Sequence, residues 1–210
     1  MTTVQSRPQD PQAAELSYRL VPVDTDEQRR RWRADFIGAY QTVFQRAPYF
    51  ERFTPAEAAG VWRRLTTAPE NITLIAATPK DRIVGFGVAI PLRCQQDVAR
   101  QLTGLVSPAD TFYFAELGVL PEYRGHGVGR ALVRERLARI PRDRYTSVVL
   151  RAPSTRDGDF ELYSAIGFTD MGVSQDVSNL RMDGRVTTDR RVFLHCVLSQ
   201  LRLDDAPATP

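Results

Sequence analysis

The chain has 210 residues, a net charge of +3 and a pI near 9.1. Hydrophobic residues make up 42% and charged residues 25%, an ordinary balance for a globular protein with one sizeable core. No apolar run approaches the ~18 residues that a membrane-spanning helix needs. The excess charge is small, spread along the chain and carried almost wholly by arginine, with Lys80 the sole lysine, so neither a nucleic-acid surface nor a membrane partner is expected. Two cysteines, Cys94 and Cys196, and two histidines, His126 and His195, lack the spacing of metal ligands, and no metal is expected. Residues 1–14 are polar, contain Pro8 and Pro11, and lack the apolar core of a signal peptide. They read, with residues 203–210, as flexible tails on a single domain of residues 15–202, in a cytoplasmic protein.

In chain order, Leu16 to Val23 alternates as a strand, and Asp26 to Gln45 places Trp32, Phe36, Ile37, Tyr40 and Phe44 at helical spacing. Pro48-Tyr49-Phe50-Glu51 is an aromatic loop. Thr54 and Glu57 form a capping box around Pro55, which starts a second helix ending near Ala68-Pro69. Ile72–Ala77 and Ile83–Ile90 read as strands joined by a short hairpin loop, and Arg93 to Val106 as a short helix. Phe112–Val119 reads as a strand, Gly127–Ile140 as a helix stopped by Pro141, and Ser147–Ala152 as a strand. Asp159–Ile166 is a short helix with Gly167 as its left-handed cap, and Phe168–Val177 and Val192–Leu198 are the last strands. The order βααββ, short helix, βαβαββ predicts an α/β fold, a mixed sheet with helices on both faces.

The segment Arg124-Gly125-His126-Gly127-Val128-Gly129 joins a strand to a helix. Three glycines in five residues free the backbone N–H groups, and with the helix start they suit an anion such as a pyrophosphate. Arg124 and Arg130 add charge. A phosphate-binding loop of the nucleotide-hydrolase type needs Gly-Lys followed by Ser or Thr, and the only lysine lies elsewhere. The dinucleotide pattern G-x-G-x-x-G begins at Gly125 and Gly127, but its third glycine falls on Arg130.

Arg124, Gly127 and Gly129 do fill the pyrophosphate-loop pattern of the GNAT-superfamily N-acetyltransferases, which the chain resembles: Arg or Gln, two residues, Gly, one residue, then Gly or Ala. Leu162-Tyr163-Ser164-Ala165-Ile166-Gly167-Phe168 is similar to that family's tyrosine-bearing helix and turn. The resemblance implies acetyl-coenzyme A as the donor. It implies a gap between the fourth and fifth strands for the pantetheine arm, with backbone contacts from Leu117, Gly118 and Val119. It also implies a loop of Arg124, Gly125, His126, Gly127, Val128, Gly129 and Arg130 for the pyrophosphate, and direct transfer to a primary amine with no covalent enzyme intermediate. His126 itself is read as exposed and not catalytic.

Glu116, a lone carboxylate in an apolar strand, is the candidate base; solvent exposure is its plain alternative. The resemblance makes Tyr163 the candidate acid, the alternative being a core tyrosine. Regular alternation gives Glu116 the parity of Phe112 and Phe114. Where the family often has Asn and Ala, seven and four residues before the tyrosine, this chain has Arg156 and Asp159; Arg156 either meets a phosphate of the coenzyme or is solvated.

The acceptor pocket is expected between the aromatic loop, with Tyr49, Phe50 and Glu51 suiting a cationic amine, and a connection of roughly residues 179–190. A small-molecule amine is the first reading. A protein lysine or N-terminal amine is second, and a non-catalytic acyl-coenzyme A-binding module third. Composition leaves monomer and homodimer open.

Overall fold

The structure is a computed structural model that describes residues 17–155 and 158–201, and of Asp159 the backbone only. Its elements run β1 (Arg19–Pro22), α1 (Asp26–Gln45), α2 (Pro55–Thr66), β2 (Ile72–Ala77), β3 (Ile83–Pro91), α3 (Gln96–Gln101), β4 (Thr111–Val119), α4 (Val128–Arg139), β5 (Ser147–Pro153), α5 (Asp159–Ile166), β6 (Thr169–Leu180) and β7 (Val186–Val197). The seven strands form one sheet in the order β1-β2-β3-β4-β5-β7-β6. Every neighbouring pair is antiparallel except β4 with β5.

Local chemistry sets most of these boundaries. Thr25 and Gln28 close a capping box at the start of α1, and Thr54 and Glu57 close another at α2, each satisfying N–H groups the helix leaves open. Gly167, at φ 113°, ends α5 in the left-handed conformation. The buried faces of the helices then cover both sides of the sheet. On one side Phe36 of α1 meets the rings of Trp62 (4.6 Å) and Phe86 (4.8 Å). On the other, Val128, Leu132, Val133 and Leu137 of α4 pack with Leu74, Phe112, Phe114 and Leu150. Full burial of a side chain such as Phe36 is worth roughly 2–3 kcal/mol before entropy is counted.

Two stretches differ from the sequence reading. The helix expected over residues 93–106 is a 3-10 turn (Leu92–Cys94) followed by the six-residue α3. The expected connection over residues 179–190 is mostly paired strand: Leu180 lies opposite Val186 and Asn179 opposite Thr187, leaving only residues 181–185 as the turn. Around its tip, polar side chains such as Ser178, Asn179, Thr187 and Thr188 occupy both faces of this hairpin.

The central strand departs from regularity at two points. Val88 pairs with Glu116 but Ala89 pairs with Phe114, so Ala115 is an extra residue, a β-bulge. Next to it, β4 and β5 part: Thr111 to Phe114 pair with Ser147 to Leu150, and no pairing continues beyond.

Candidate active site

The bulge decides which way Glu116 faces. One extra residue reverses side-chain parity along a strand. Phe112 and Phe114 join the core under α4, while Glu116 turns to the α1 side, where its Oε1 accepts a hydrogen bond from the Tyr40 hydroxyl at 3.4 Å. The shared parity expected for these three residues is therefore corrected. Burial raises the Glu116 carboxyl from 4.5 to about 7; Arg64 and Arg151 pull it back and Glu51 pushes it up further. A carboxyl half-ionised near neutrality is suited to moving protons.

Beyond the bulge, Leu117, Gly118 and Val119 line a cleft of about 1070 Å³ with Arg124, Gly125, Gly127, Val128, Gly129 and Arg130. These are the stretches that the family resemblance assigned to the donor, His126 excepted. Gly125 and Gly127 both have φ +79°, which only glycine adopts without strain. A Cβ built on either meets nothing within 4 Å, so backbone conformation rather than crowding calls for glycine there. Gly127 supplies no side-chain cap to α4. Among the described residues the start of α4 thus has no capping box, in contrast to α1 and α2, and a helix start of this kind fits a pyrophosphate. Gly118 has a different constraint: a Cβ there would lie 2.3 Å from Phe86 Cζ.

Other residues fall less directly into place. Arg124 lines the cleft, but its Nε donates to Val119 O (3.1 Å) and its Nη1 to Ala47 O (2.6 Å), stapling the glycine loop to the strand end and to the α1–α2 connection. His126 is exposed and does not line the cleft. Arg156 lies outside the described residues. Tyr163 is 6% exposed and packs edge-on against Phe168 at 5.5 Å. Its neighbours Glu161, Leu162 and Ala165 line the cleft, and Tyr163 stands behind them, its hydroxyl beside the Arg136 guanidinium. Glu116 and Tyr163 thus approach β4 from opposite faces.

On the acceptor side, Tyr49 lines the cleft while Phe50 is 54% exposed. Glu51 is buried and ion-paired to Arg191 at 2.9 Å, so its charge is already matched within the protein. Burial pushes its carboxyl above the usual range, while Arg191 and Arg181 pull it down. Arg181 holds Asp189 through two contacts of 2.6 Å and donates to Tyr49 O, joining the aromatic loop to the last hairpin. Sequence reasoning left Tyr40, Arg136, Arg151 and Asp189 unassigned. For Arg136 a signal existed: it falls on the apolar stripe of its helix.

The two central parallel strands of the mixed sheet thus part beside a bulged carboxylate, with the start of α4 at the mouth of the gap. The profile of the Acetyltransferase (GNAT) family matches residues 29–168, two thirds of the chain, and the chain belongs to that family. No curated protein matches the sequence.

Among solved structures the chain is similar to ACIAD1637 of Acinetobacter baylyi ADP1 (15% identity, TM-score 0.63, covering 92% of this chain and 97% of that one). It is similar to yncA of Salmonella typhimurium, solved with acetyl-CoA (15%, 0.61, 92% and 98%). It is also similar to the ribosomal-protein-S18-alanine N-acetyltransferase of Escherichia coli (14%, 0.57, 91% and 99%). Among the described residues no helix is long and apolar enough to cross a membrane.

Proposed function

We propose that this protein transfers the acetyl group of acetyl-coenzyme A directly to the primary amine of a small molecule, in the cytoplasm. The observation that carries the reading is the Glu116 carboxyl, aimed by the bulge to the α1 face and poised at about 7 beside the gap between β4 and β5. The α4 start and the glycine loop hold the pyrophosphate, and the exposed edge of β4 at Leu117 to Val119 pairs with the pantetheine arm. Glu116 takes the proton that makes the amine nucleophilic, directly or through water. Tyr163 gives a proton to the departing sulfur. No enzyme thioester is formed: neither Cys94 nor Cys196 is among the residues that line the cleft, and burial pushes the Cys196 thiol up to about 11.

Release of free thiol from acetyl-coenzyme A, followed over a panel of small amines, tests the reading. Amine-dependent release supports it. Tight donor binding without release from any acceptor favours a binding module instead.

A protein amine is the second reading, and one observation favours it. Phe50, Leu180, Met182 and Val186, 41–69% exposed, gather where the last hairpin meets the α1–α2 connection. An apolar patch beside a catalytic mouth suits a polypeptide acceptor. Peptides with free N-termini or lysines belong in the same panel.

A further inference from the structure

Arg124 opens the glycine segment, where its charge alone would assign it to an anion. Its hydrogen bonds run elsewhere. The 3-10 turn Pro121–Tyr123 ends at Arg124, whose N–H donates to Pro121 O at 3.3 Å. From that fixed start the half-buried side chain reaches back past the end of β4. Nε donates to Val119 O at 3.1 Å, and Nη1 donates to Ala47 O at 2.6 Å. The second bond joins positions 77 residues apart in the chain.

Ala47 lies in the near half of the α1–α2 connection, and the next two residues, Pro48 and Tyr49, line the same cleft as Arg124 and Leu117 to Val119. The far half of the connection is pinned to the last hairpin. Arg52 N donates to Leu180 O at 2.7 Å, Met182 N donates to Phe50 O at 3.0 Å, and Glu51 pairs with Arg191 at 2.9 Å. In the near half, Tyr49 N and Phe50 N both return to Arg46 O, at 3.0 and 3.1 Å, within the connection itself. At Ala47 the hydrogen bond to the rest of the protein is the one that Arg124 donates. Where this wall stands matters to the candidate base. The Tyr49 ring lies 5.0 Å from that of Phe44, and Phe44 lies 4.5 Å from Tyr40, whose hydroxyl donates to Glu116 at 3.4 Å.

We propose that Arg124 is a positioning residue for the acceptor, holding the Pro48–Tyr49 wall against the end of β4 so that the amine meets the acetyl group. The inference rests on the proposed acetyl transfer. A guanidinium is a rigid planar set of donors with no acceptor, and a charged donor binds a carbonyl more strongly than a neutral one. One of its two carbonyls belongs to the strand that takes the donor, the other to the wall that faces the acceptor. A single side chain therefore fixes the spacing between them. The pyrophosphate is left to the main-chain N–H groups of the glycine loop and α4. Loss of the tie frees the wall and leaves the strand in place, so the amine is held less well while donor binding and the chemical step persist.

The test uses Arg124→Met and Arg124→Lys, two donors, and the small amine that gives most thiol release with the parent. Acetyl-coenzyme A carries the pyrophosphate, and S-acetylpantetheine ends before it. Without any ligand, hydrogen exchange over residues 46–50, read by mass spectrometry, is expected to quicken about tenfold in Arg124→Met while residues 180–186 keep the parental rate. Equal exchange in parent and variant overturns the tie. In turnover the KM for the amine is expected to rise about tenfold, with kcat and the dissociation constant for acetyl-coenzyme A each within about threefold of the parent. The same rise is expected with S-acetylpantetheine. A loss seen with acetyl-coenzyme A and absent with S-acetylpantetheine, or weaker donor binding beside an unchanged KM, marks a pyrophosphate contact and overturns the inference. If Arg124→Met does not fold, Arg124→Lys answers the same questions, since it keeps the charge that a pyrophosphate attracts and loses the fork that spans the two carbonyls. No release from any amine removes the acetyl-transfer reading and this role with it. Release with parental exchange and KM in the variants removes only the role given to Arg124.

Discussion

Replacing Glu116 with Gln should make the protein more stable above neutral pH while disabling it. The folded chain holds the Glu116 proton up to about 7, whereas an unperturbed glutamate loses it near 4.5. Between those values the folded state binds more protons than the unfolded state, so stability falls as pH rises through this window and the full penalty is present above it. A shift of roughly 2.5 units corresponds to about 3 kcal/mol at most, and relaxation of the partly exposed site brings it nearer ~1–2 kcal/mol. Glutamine keeps the shape and can still accept from the Tyr40 hydroxyl, but it cannot ionise.

Thermal melts of parent and Glu116→Gln from about pH 4.5 to 8.5 are therefore expected to coincide at the acid end. They should separate to a plateau of roughly 3–6 °C in favour of the variant above neutrality. In the same preparations the turnover number should fall ~10²–10⁴-fold, and the parent's kcat/KM should climb with pH up to a limb near 7 that the variant lacks. A melting difference that does not change with pH, or a variant that melts lower at alkaline pH, would refute the account of a buried carboxyl strained by ionisation.

Three further outcomes follow from the geometry. Gly118→Ala places a methyl 2.3 Å from Phe86 Cζ and should cost about 1–3 kcal/mol in urea unfolding; Phe86→Leu in the same chain should return part of that loss. Gly127→Ala forces a left-handed φ of +79° on an L side chain. Calorimetry should show acetyl-coenzyme A binding weakened about 5–20-fold, with the melt lowered by no more than ~1–2 kcal/mol equivalent. Arg191→Ala strands the buried Glu51 carboxylate and should destabilise the protein by about 3 kcal/mol at neutral pH, much of it recovered when Glu51→Gln is added.

What could be read from the sequence follows from where periodicity and local chemistry speak. The limits of α1, the capping box of α2, the strand at Ile72–Ala77 and the α5 helix with Gly167 were legible because each is set within a few residues of itself. The glycine loop was legible for the same reason. The bulge at Ala115 was not, because it arises from pairing between β3 and β4, and without it Glu116 is assigned to the wrong face. Residues 168–177 and 192–198 were legible as strands, but the tip of the β6–β7 hairpin escaped because Ser178, Asn179, Thr187 and Thr188 put polar side chains on both faces. Arg136 marks the opposite situation: a charge on an apolar stripe was visible, but its reason lies in carbonyls supplied by two distant strands.

Every open sheet faces the hazard that bare strand edges recruit foreign strands. This protein has rim edges at β1 and β6, and on β6 Asp170 and Asp176 and a register irregularity between Asp170 and Ser174 discourage a newcomer. A further edge is internal, the stretch of β4 beyond Phe114 that β5 abandons. Enclosure rather than charge protects it there, because a polypeptide cannot readily enter between two strands of one sheet. The hydrogen-bonding groups that would be an aggregation liability at the rim are thereby left within reach only of something slender, so that under the proposed reading width screens a ligand before any side chain is consulted.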